Sequence, residues 1–291
     1  MDAGVPAHYG DPFREQQRLL AGTGVVDLSH RGVVRVSGPD RLGWLHSLTT
    51  QHLAALPPYQ RTTTLILSPQ GHVEHHMSGY DDGETFWAHV EPGAAPGLVG
   101  WLDSMRFMMR VEVADVTDEW AAVAPGPETV DLVRRSELAG ATGATPCGVW
   151  AFEALRIARG EARLGLDTDH RTIPNETGWI GNAVHLDKGC YRGQETVARV
   201  HTLGRPPRRL VLLLLDGSVD RLPERGSAVN LDGRQVGLVG SAARHHELGP
   251  VGLALVKRNV PVGAELLADG VAAAQEVLVE PEAGLHVRAR L

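Results

Sequence analysis

The feature that most constrains the fold is a change of character near Pro206-Pro207. From Arg208 onward the chain breaks into short apolar segments punctuated by Gly217, Gly226, Asp232-Gly233, Gly240, Gly249 and Gly263. Asp232-Gly233, set between Ala228–Leu231 and Gln235–Val239, is a two-residue hairpin signal, because both positions tolerate the positive φ of a tight primed turn. Short strands with regular turns predict a small β-barrel or sandwich as a separate C-terminal domain over residues 206–291. Residues 1–205 read differently, as strands alternating with amphipathic helices. Helices are expected at Phe13–Leu20, from Leu42 to Leu48 with Asp40 capping the first turn, at Gly97–Met105, at Thr129–Glu137 and at Val149–Arg159, the last stopped by Gly160. Strands are expected at Gly32–Ser37, Thr62–Ser68, His72–Tyr80, Thr85–Val90, Met108–Val116 and Trp120–Ala124, and a loop at Gly140–Pro146. Trp101, Met105, Phe107 and Met108 read as core, as do Trp150, Phe152 and Leu155 on one helix face. The fold class is α+β.

Composition narrows the function. A length of 291 residues fits two domains, each able to bury a core. With 28 Lys+Arg against 35 Asp+Glu the net charge is −7, which argues against general nucleic-acid binding. No apolar run approaches the ~20 residues of a membrane helix, so no membrane partner is expected. The start, Met1-Asp2-Ala3-Gly4, has neither a basic nor an apolar leader region, and a cytoplasmic location is expected. Only Cys147 and Cys190 are present; they read as free thiols in a reducing compartment, too few to hold a four-thiolate cluster.

The densest cluster of special residues is Lys188-Gly189-Cys190-Tyr191-Arg192-Gly193-Gln194-Glu195. Gly189 and Gly193 permit a shaped loop around one thiol. Lys188 lies close enough in sequence to stabilise a thiolate, and Gln194-Glu195 can open a helix running through Val197-Ala198-Arg199. Two readings of Cys190 stand side by side, a presented functional thiol and a structural cysteine buried in a tight turn.

That string closely resembles the signature of the YgfZ family of folate-binding proteins, relatives of the T-protein (aminomethyltransferase) of the glycine cleavage system. The resemblance extends over Leu155-Arg156-Ile157 through Gly165, Ile173-Pro174 and Glu176, and over Gly237–Ser241, Leu248-Gly249 and Ala254–Arg258. It implies a T-protein-like body of mixed and antiparallel sheets with flanking helices around a central folate-sized hole, followed by the barrel. It also implies tetrahydrofolate or a derivative as cofactor, without a permanently bound metal, and iron-sulfur client enzymes or assembly machinery as partners, including enzymes of tRNA modification. Cys190 would then be the functional thiol with Lys188 beside it. Asp167 falls where T-proteins hold the pterin ring with a glutamate, and Tyr191, Gln194 and Arg199 become further folate contacts. Arg156 and Glu176 would brace the loop, with Gly189, Gly193 and Glu195 shaping it.

One departure bears on catalysis. Gln70-Gly71-His72-Val73-Glu74-His75-His76-Met77 resembles the T-protein segment that carries an acidic pair, and His75-His76 stand at those positions. Loss of the carboxylate weighs against ordinary aminomethyl transfer, which is the alternative function. Glu74 would point to the opposite strand face from His75. His72 and His76 would be about 13 Å apart on one strand, too far to share a metal. Arg192, Arg199, Arg205, Arg208 and Arg209 form a local basic run, either a solvated linker or a landing place for anions. A weak RNA contact through Arg205, Arg208 and Arg209, or an interaction module without enzymatic activity, is the third reading.

Overall fold

The computed structural model describes residues 2–143 and 145–285. Met1, Ala144 of the expected 140–146 loop, and residues 286–291 of the expected C-terminal domain lie outside the described residues. Helix α1 (Pro12–Leu20) starts where the Asp11 carboxylate accepts from the backbone N–H groups of Phe13 and Arg14, with Pro12 pre-setting the first φ. Strands β1 (Val25–Asp27) and β2 (Gly32–Ser37) follow, then α2 (Arg41–Leu48). Asp40 does not cap α2; its carboxylate is taken by Arg110 at 2.7 Å. Strands β3 (Thr62–Leu67), β4 (Val73–Asp81) and β5 (Thr85–Val90) form a meander, followed by α3 (Ala95–Ser104) and β6 (Glu112–Asp115). These strands make a five-stranded sheet in the order β3-β4-β5-β2-β6.

Strands β7 (Trp120–Ala124) and β8 (Asp131–Arg134), helix α4 (Leu138–Thr142) and β9 (Pro146–Cys147) complete a second sheet, ordered β8-β7-β1-β9. Thr129–Glu137 is therefore not an α-helix but a strand followed by one 3-10 turn at Arg135–Glu137. Residues 131–134 pair antiparallel with β7, and the Arg134 guanidinium lies 4.4 Å from the Trp120 ring centroid, contacts that local sequence does not announce. The α-helix comes one segment later and overlaps the start of the stretch expected to be loop. The strand expected at Met108–Val116 shortens to β6, because Phe107 sits at a positive φ of 47° and turns the chain. Phe107 and Met108 are exposed rather than in the core, whereas Trp101 and Met105 pack against it.

Helix α5 (Val149–Ala158) ends before Gly160, which takes a positive φ of 75°. Phe152 and Leu155 are buried on it, but Trp150 is exposed. Helix α6 (Gln194–Leu203) opens directly after Gly193. Strands β10 (Arg208–Leu215), β11 (Ala228–Leu231), β12 (Arg234–His245), β13 (Gly249–Lys257), β14 (Leu266–Ala268) and β15 (Val271–Val277) then close a six-stranded barrel in the order β10-β13-β12-β11-β14-β15. Asp232 and Gly233 make the β11–β12 turn with φ of 49° and 75°, the backbone that the dipeptide predicts. Alternation along β10 sends Val211, Leu213 and Leu215 into the barrel and Leu210 and Leu212 outward, against Leu65, Leu67, Trp179, Tyr191 and Val197 of the body.

A buried polar knot fixes α5 against the barrel. Arg156 donates to Asp167 Oδ2 at 2.9 Å, to Glu153 Oε2 at 2.8 Å and to Ser241 Oγ of β12 at 2.6 Å. Asp167 also accepts from the backbone N–H groups of Arg163 at 2.9 Å and Ser241 at 2.7 Å. Gly240 lies so close that a methyl group there would strike the Asp167 carboxylate. Replacing one member of such a knot strands its partners. Asp167→Ala is expected to lower the unfolding free energy by about 3–5 kcal/mol in urea denaturation; a loss below about 1 kcal/mol would show that the knot relaxes or admits water.

Candidate ligand cavity and the Lys188–Glu195 loop

The five-stranded sheet, the β7–β8 connection, α5 and the segment 177–185 line a cavity of about 990 Å³, within the range of small-molecule sites. One wall comes from the five-stranded sheet, which contributes Thr63, His76, Ser78 and His89. Phe152 and Trp179 supply aromatic surface, and Arg31, Arg61, Arg159 and Arg163 supply positive charge, opposed by Glu91, Glu128 and Glu161. Most of these charges are committed. Arg163 donates to Glu91 Oε2 at 2.6 Å and to Asp2 Oδ1 at 3.0 Å, and Arg159 grips Glu161 at 2.8 and 2.9 Å. Each Glu161 oxygen keeps a second lone pair for a ligand.

A register shift on β4 decides which histidine faces the cavity. Ile66 pairs with His75 and Leu67 with Val73, so Glu74 is the extra residue of a bulge. His76 then faces the cavity with its ring 5.2 Å from Trp179, whereas His75 lies 6.5 Å from Trp101 of α3. Burial pushes the His76 imidazole down to about 4, with Glu91 opposing and Arg31 adding to the shift. His89 is pushed well below its ordinary value by the same burial, then by Arg31 and His76.

The Lys188–Glu195 loop sits elsewhere, on the turn between β3 and β4. A methyl group on Gly193, whose φ is 80°, would lie 2.5 Å from Ser68 O, and one on Gly71 would lie 2.7 Å from Thr196 Cβ. Arg192 reaches across to the bulged Glu74 at 3.0 Å and lies 5.9 Å from the Trp101 ring centroid. Two motifs far apart in sequence, 70–77 and 188–195, thus form one seam. Cys190 is exposed in this loop, which excludes the buried structural reading; Cys147 is the buried thiol.

Of the site residues expected from the sequence, Arg156 alone lines the cavity among the described residues; the others lie elsewhere. Lys188 is buried, and its ammonium donates to the carbonyls of His46 and Thr49 over the Tyr191 ring, with burial pushing it down to about 8. Tyr191 belongs to the core shared with the barrel, and burial pushes its hydroxyl up to about 12. Gln194 lies in the first turn of α6 and Arg199 is exposed farther along it. Asp167 is held in the Arg156 knot. Glu176 pairs with Arg208 at 2.8 Å and accepts from the Ile173 backbone N–H, so neither it nor Arg156 contacts the Cys190 loop directly. Asn175, next to Glu176, bonds Val197 O of α6 instead. Arg208 also holds Asp169 at 2.6 Å, and Arg209 is buried in the barrel, donating to Val260 O and Gln275. The basic run therefore offers Arg205 but not Arg208 or Arg209 as a free surface cation. Among the described residues no group of three or more His, Cys, Asp and Glu could hold a metal ion, and no helix is long and apolar enough to cross a membrane. The other cavity arginines, Arg31, Arg61, Arg159 and Arg163, lie in no local motif that would mark them.

The fold and its central cavity define a T-protein-like protein. Over 96% of this chain and 92% of the other, the structure superimposes on the glycine cleavage system aminomethyltransferase T of Bartonella henselae with a TM-score of 0.76 at 18% identity, a likeness of fold. Residues 12–141 match the GCVT N-terminal domain family. The chain is 26% identical to an aminomethyltransferase of Nostoc over 87% of this chain and 81% of that protein, and 26% identical to one of Rubrobacter xylanophilus over 90% and 84%. It is likewise 26% identical to a putative chloroplast transferase of Arabidopsis thaliana, over 82% of this chain and 66% of that longer relative. These similarities support the T-protein superfamily for this chain.

The neutral His76 sets a pH dependence. Unfolded chains take up a proton on histidine near 6.5, whereas native His76 resists until about 4. Its contribution is thus intact above pH 6.5 and is lost as pH falls from 6.5 towards 4. Chemical denaturation at pH 7 and pH 4.5 should show His76→Gln losing less stability than the wild type, by on the order of 1–3 kcal/mol. Equal losses in the two proteins would mean that His76 is solvated.

Proposed function

We propose that the central cavity binds a tetrahydrofolate derivative and that the chain serves iron-sulfur enzymes or their assembly as a folate-dependent accessory protein. The observation that carries this reading is the cavity of about 990 Å³ in a T-protein-like fold, with His76 facing it where an acidic residue is expected for aminomethyl transfer. The donor set fits a folate. Phe152 and Trp179 offer faces to a flat bicyclic ring. Because Asp167 is committed to Arg156, the carboxylate that meets the pterin amine edge is Glu161, whose free lone pairs suit two N–H donors.

Cys190 has the second role in this reading, as an exposed thiol that a client enzyme can reach. The Gly193 and Arg192 contacts hold its loop on the β3–β4 turn, so the thiol is carried by a defined surface. Calorimetry with tetrahydrofolate is expected to show binding, and Glu161→Gln should weaken it about tenfold or more; absence of heat at high protein concentration rejects the folate reading. In a deletion strain, Cys190→Ala should fail to restore iron-sulfur enzyme activity while leaving folate affinity unchanged. Full restoration would remove the thiol from the function.

The names of the relatives favour a second reading, aminomethyl transfer. It predicts methylene transfer from an aminomethylated lipoyl carrier to tetrahydrofolate. His76 lacks a carboxylate to hold the reacting folate nitrogen, so the expected rate is no higher than background.

A further inference from the structure

Arg31 links β1 to β2, and its side chain is buried in the wall of the central cavity with 7% of the residue exposed. Its guanidinium lies over the Phe152 ring, 5.5 Å from the centroid. Beyond that contact the side chain has no hydrogen bond or ion pair among the described residues, and its Nε is fully buried without a partner. The other arginines of the cavity wall are each paired. Arg163 holds Glu91 and Asp2, Arg156 holds Glu153 and Asp167, Arg159 holds Glu161, and Arg61 holds Asp131. The carboxylates within electrostatic reach of Arg31 are Glu91, Glu153 and Asp2, and all three are hydrogen-bonded to Arg163 or Arg156.

A guanidinium carries five N–H donors in a planar fork that matches the two oxygens of a carboxylate or phosphate. Buried beside an aromatic face with no hydrogen-bond acceptor, it is a charge whose desolvation Glu91, Glu153 and Asp2 offset only at a distance. His76 and His89 line the same cavity from β4 and β5, and both feel the Arg31 charge. Each imidazole adds a nitrogen that can donate to an anionic oxygen.

We propose that Arg31, flanked by His76 and His89, is an oxyanion subsite of the central cavity that takes a carboxylate or phosphate of the bound molecule through the guanidinium fork. The assignment rests on the cavity being a ligand site and not on folate being the ligand. An arginine of the cavity wall without a direct ion pair, beside four that have one, selects an anion over a neutral group. The bound molecule therefore carries an acidic oxygen group that lies beside Phe152, buried from water.

The test is calorimetry at low chloride on the wild type, Arg31→Met and Arg31→Lys, with four probes: inorganic phosphate, succinate, tetrahydrofolate, and 6-methyltetrahydropterin, which has no carboxylate. Phosphate or succinate should bind the wild type, lose about 10- to 100-fold in affinity with Arg31→Met, and recover in part with Arg31→Lys. Tetrahydrofolate should fall by a similar factor, while the pterin changes less than twofold. Competition between phosphate and tetrahydrofolate assigns the subsite to the ligand's own carboxylate; simultaneous binding assigns it to a free anion. Phosphate should also raise the melting temperature of the wild type and not of Arg31→Met, which reports on the site in folded protein. Phosphate and succinate affinities unchanged in Arg31→Met overturn the proposal, and so does a wild type that binds neither. Anion binding through Arg31 without any tetrahydrofolate binding would remove the folate reading and leave the subsite. Tetrahydrofolate binding indifferent to Arg31 would do the reverse.

Discussion

The arrangement of the molecule depends on one interlocked set of buried charges. Arg163 joins Asp2 near the N-terminus, Glu91 at the end of β5 and Glu153 of α5, with N–O distances between 2.6 and 3.0 Å. Arg156 extends the set to Asp167 and, through Ser241, to the barrel. Desolvating so many ions costs roughly what their attraction returns, so the set contributes less to net stability than to uniqueness. Apolar surfaces slide past one another at little cost, whereas a guanidinium fork accepts one register. Five chain segments that would otherwise pack in several ways are thereby held in a single arrangement around the cavity.

The sequence was most legible where local chemistry and tertiary structure agree. The Asp232-Gly233 turn, the Gly160 stop after α5 and the short apolar run of β10 all follow from backbone and length rules that act over a few residues. It was least legible where long-range pairing decided. Strand β8 exists because β7 lies beside it, and Phe107 and Met108 are exposed although their hydrophobicity argued for burial. The same holds for the candidate site. The Lys188–Glu195 string announced a shaped loop and left its thiol either presented or buried, and Cys190 is exposed there. Nothing in the string told that Lys188 turns inward to the carbonyls of His46 and Thr49, or that Asp167 is claimed by Arg156. A charged residue's role depends on which opposite charge the fold brings to it, and spacing along the chain does not carry that information.

The overall charge of −7 conceals an internal inversion. Carboxylates dominate the chain as a whole, yet arginines reach the cavity from α5 and from the connecting segments before β2, before β3 and after α5. Such a distribution repels anions at long range and welcomes them only at short range, where the low-dielectric wall strengthens each contact. Selectivity for a ligand with a buried acidic group and a flat apolar body is then a property of the cavity rather than of the surface.

The barrel meets the body through the outward residues of β10 and β13, and Leu210, Leu212, Val251, Leu253 and Leu255 belong to the same core as Leu65 and Trp179. These strands therefore have no wet face. The change of composition at Pro206-Pro207 marks where the architecture changes, but it is not a line along which the folded protein can be divided. Either half, taken alone, would present to water an apolar face that the other covers.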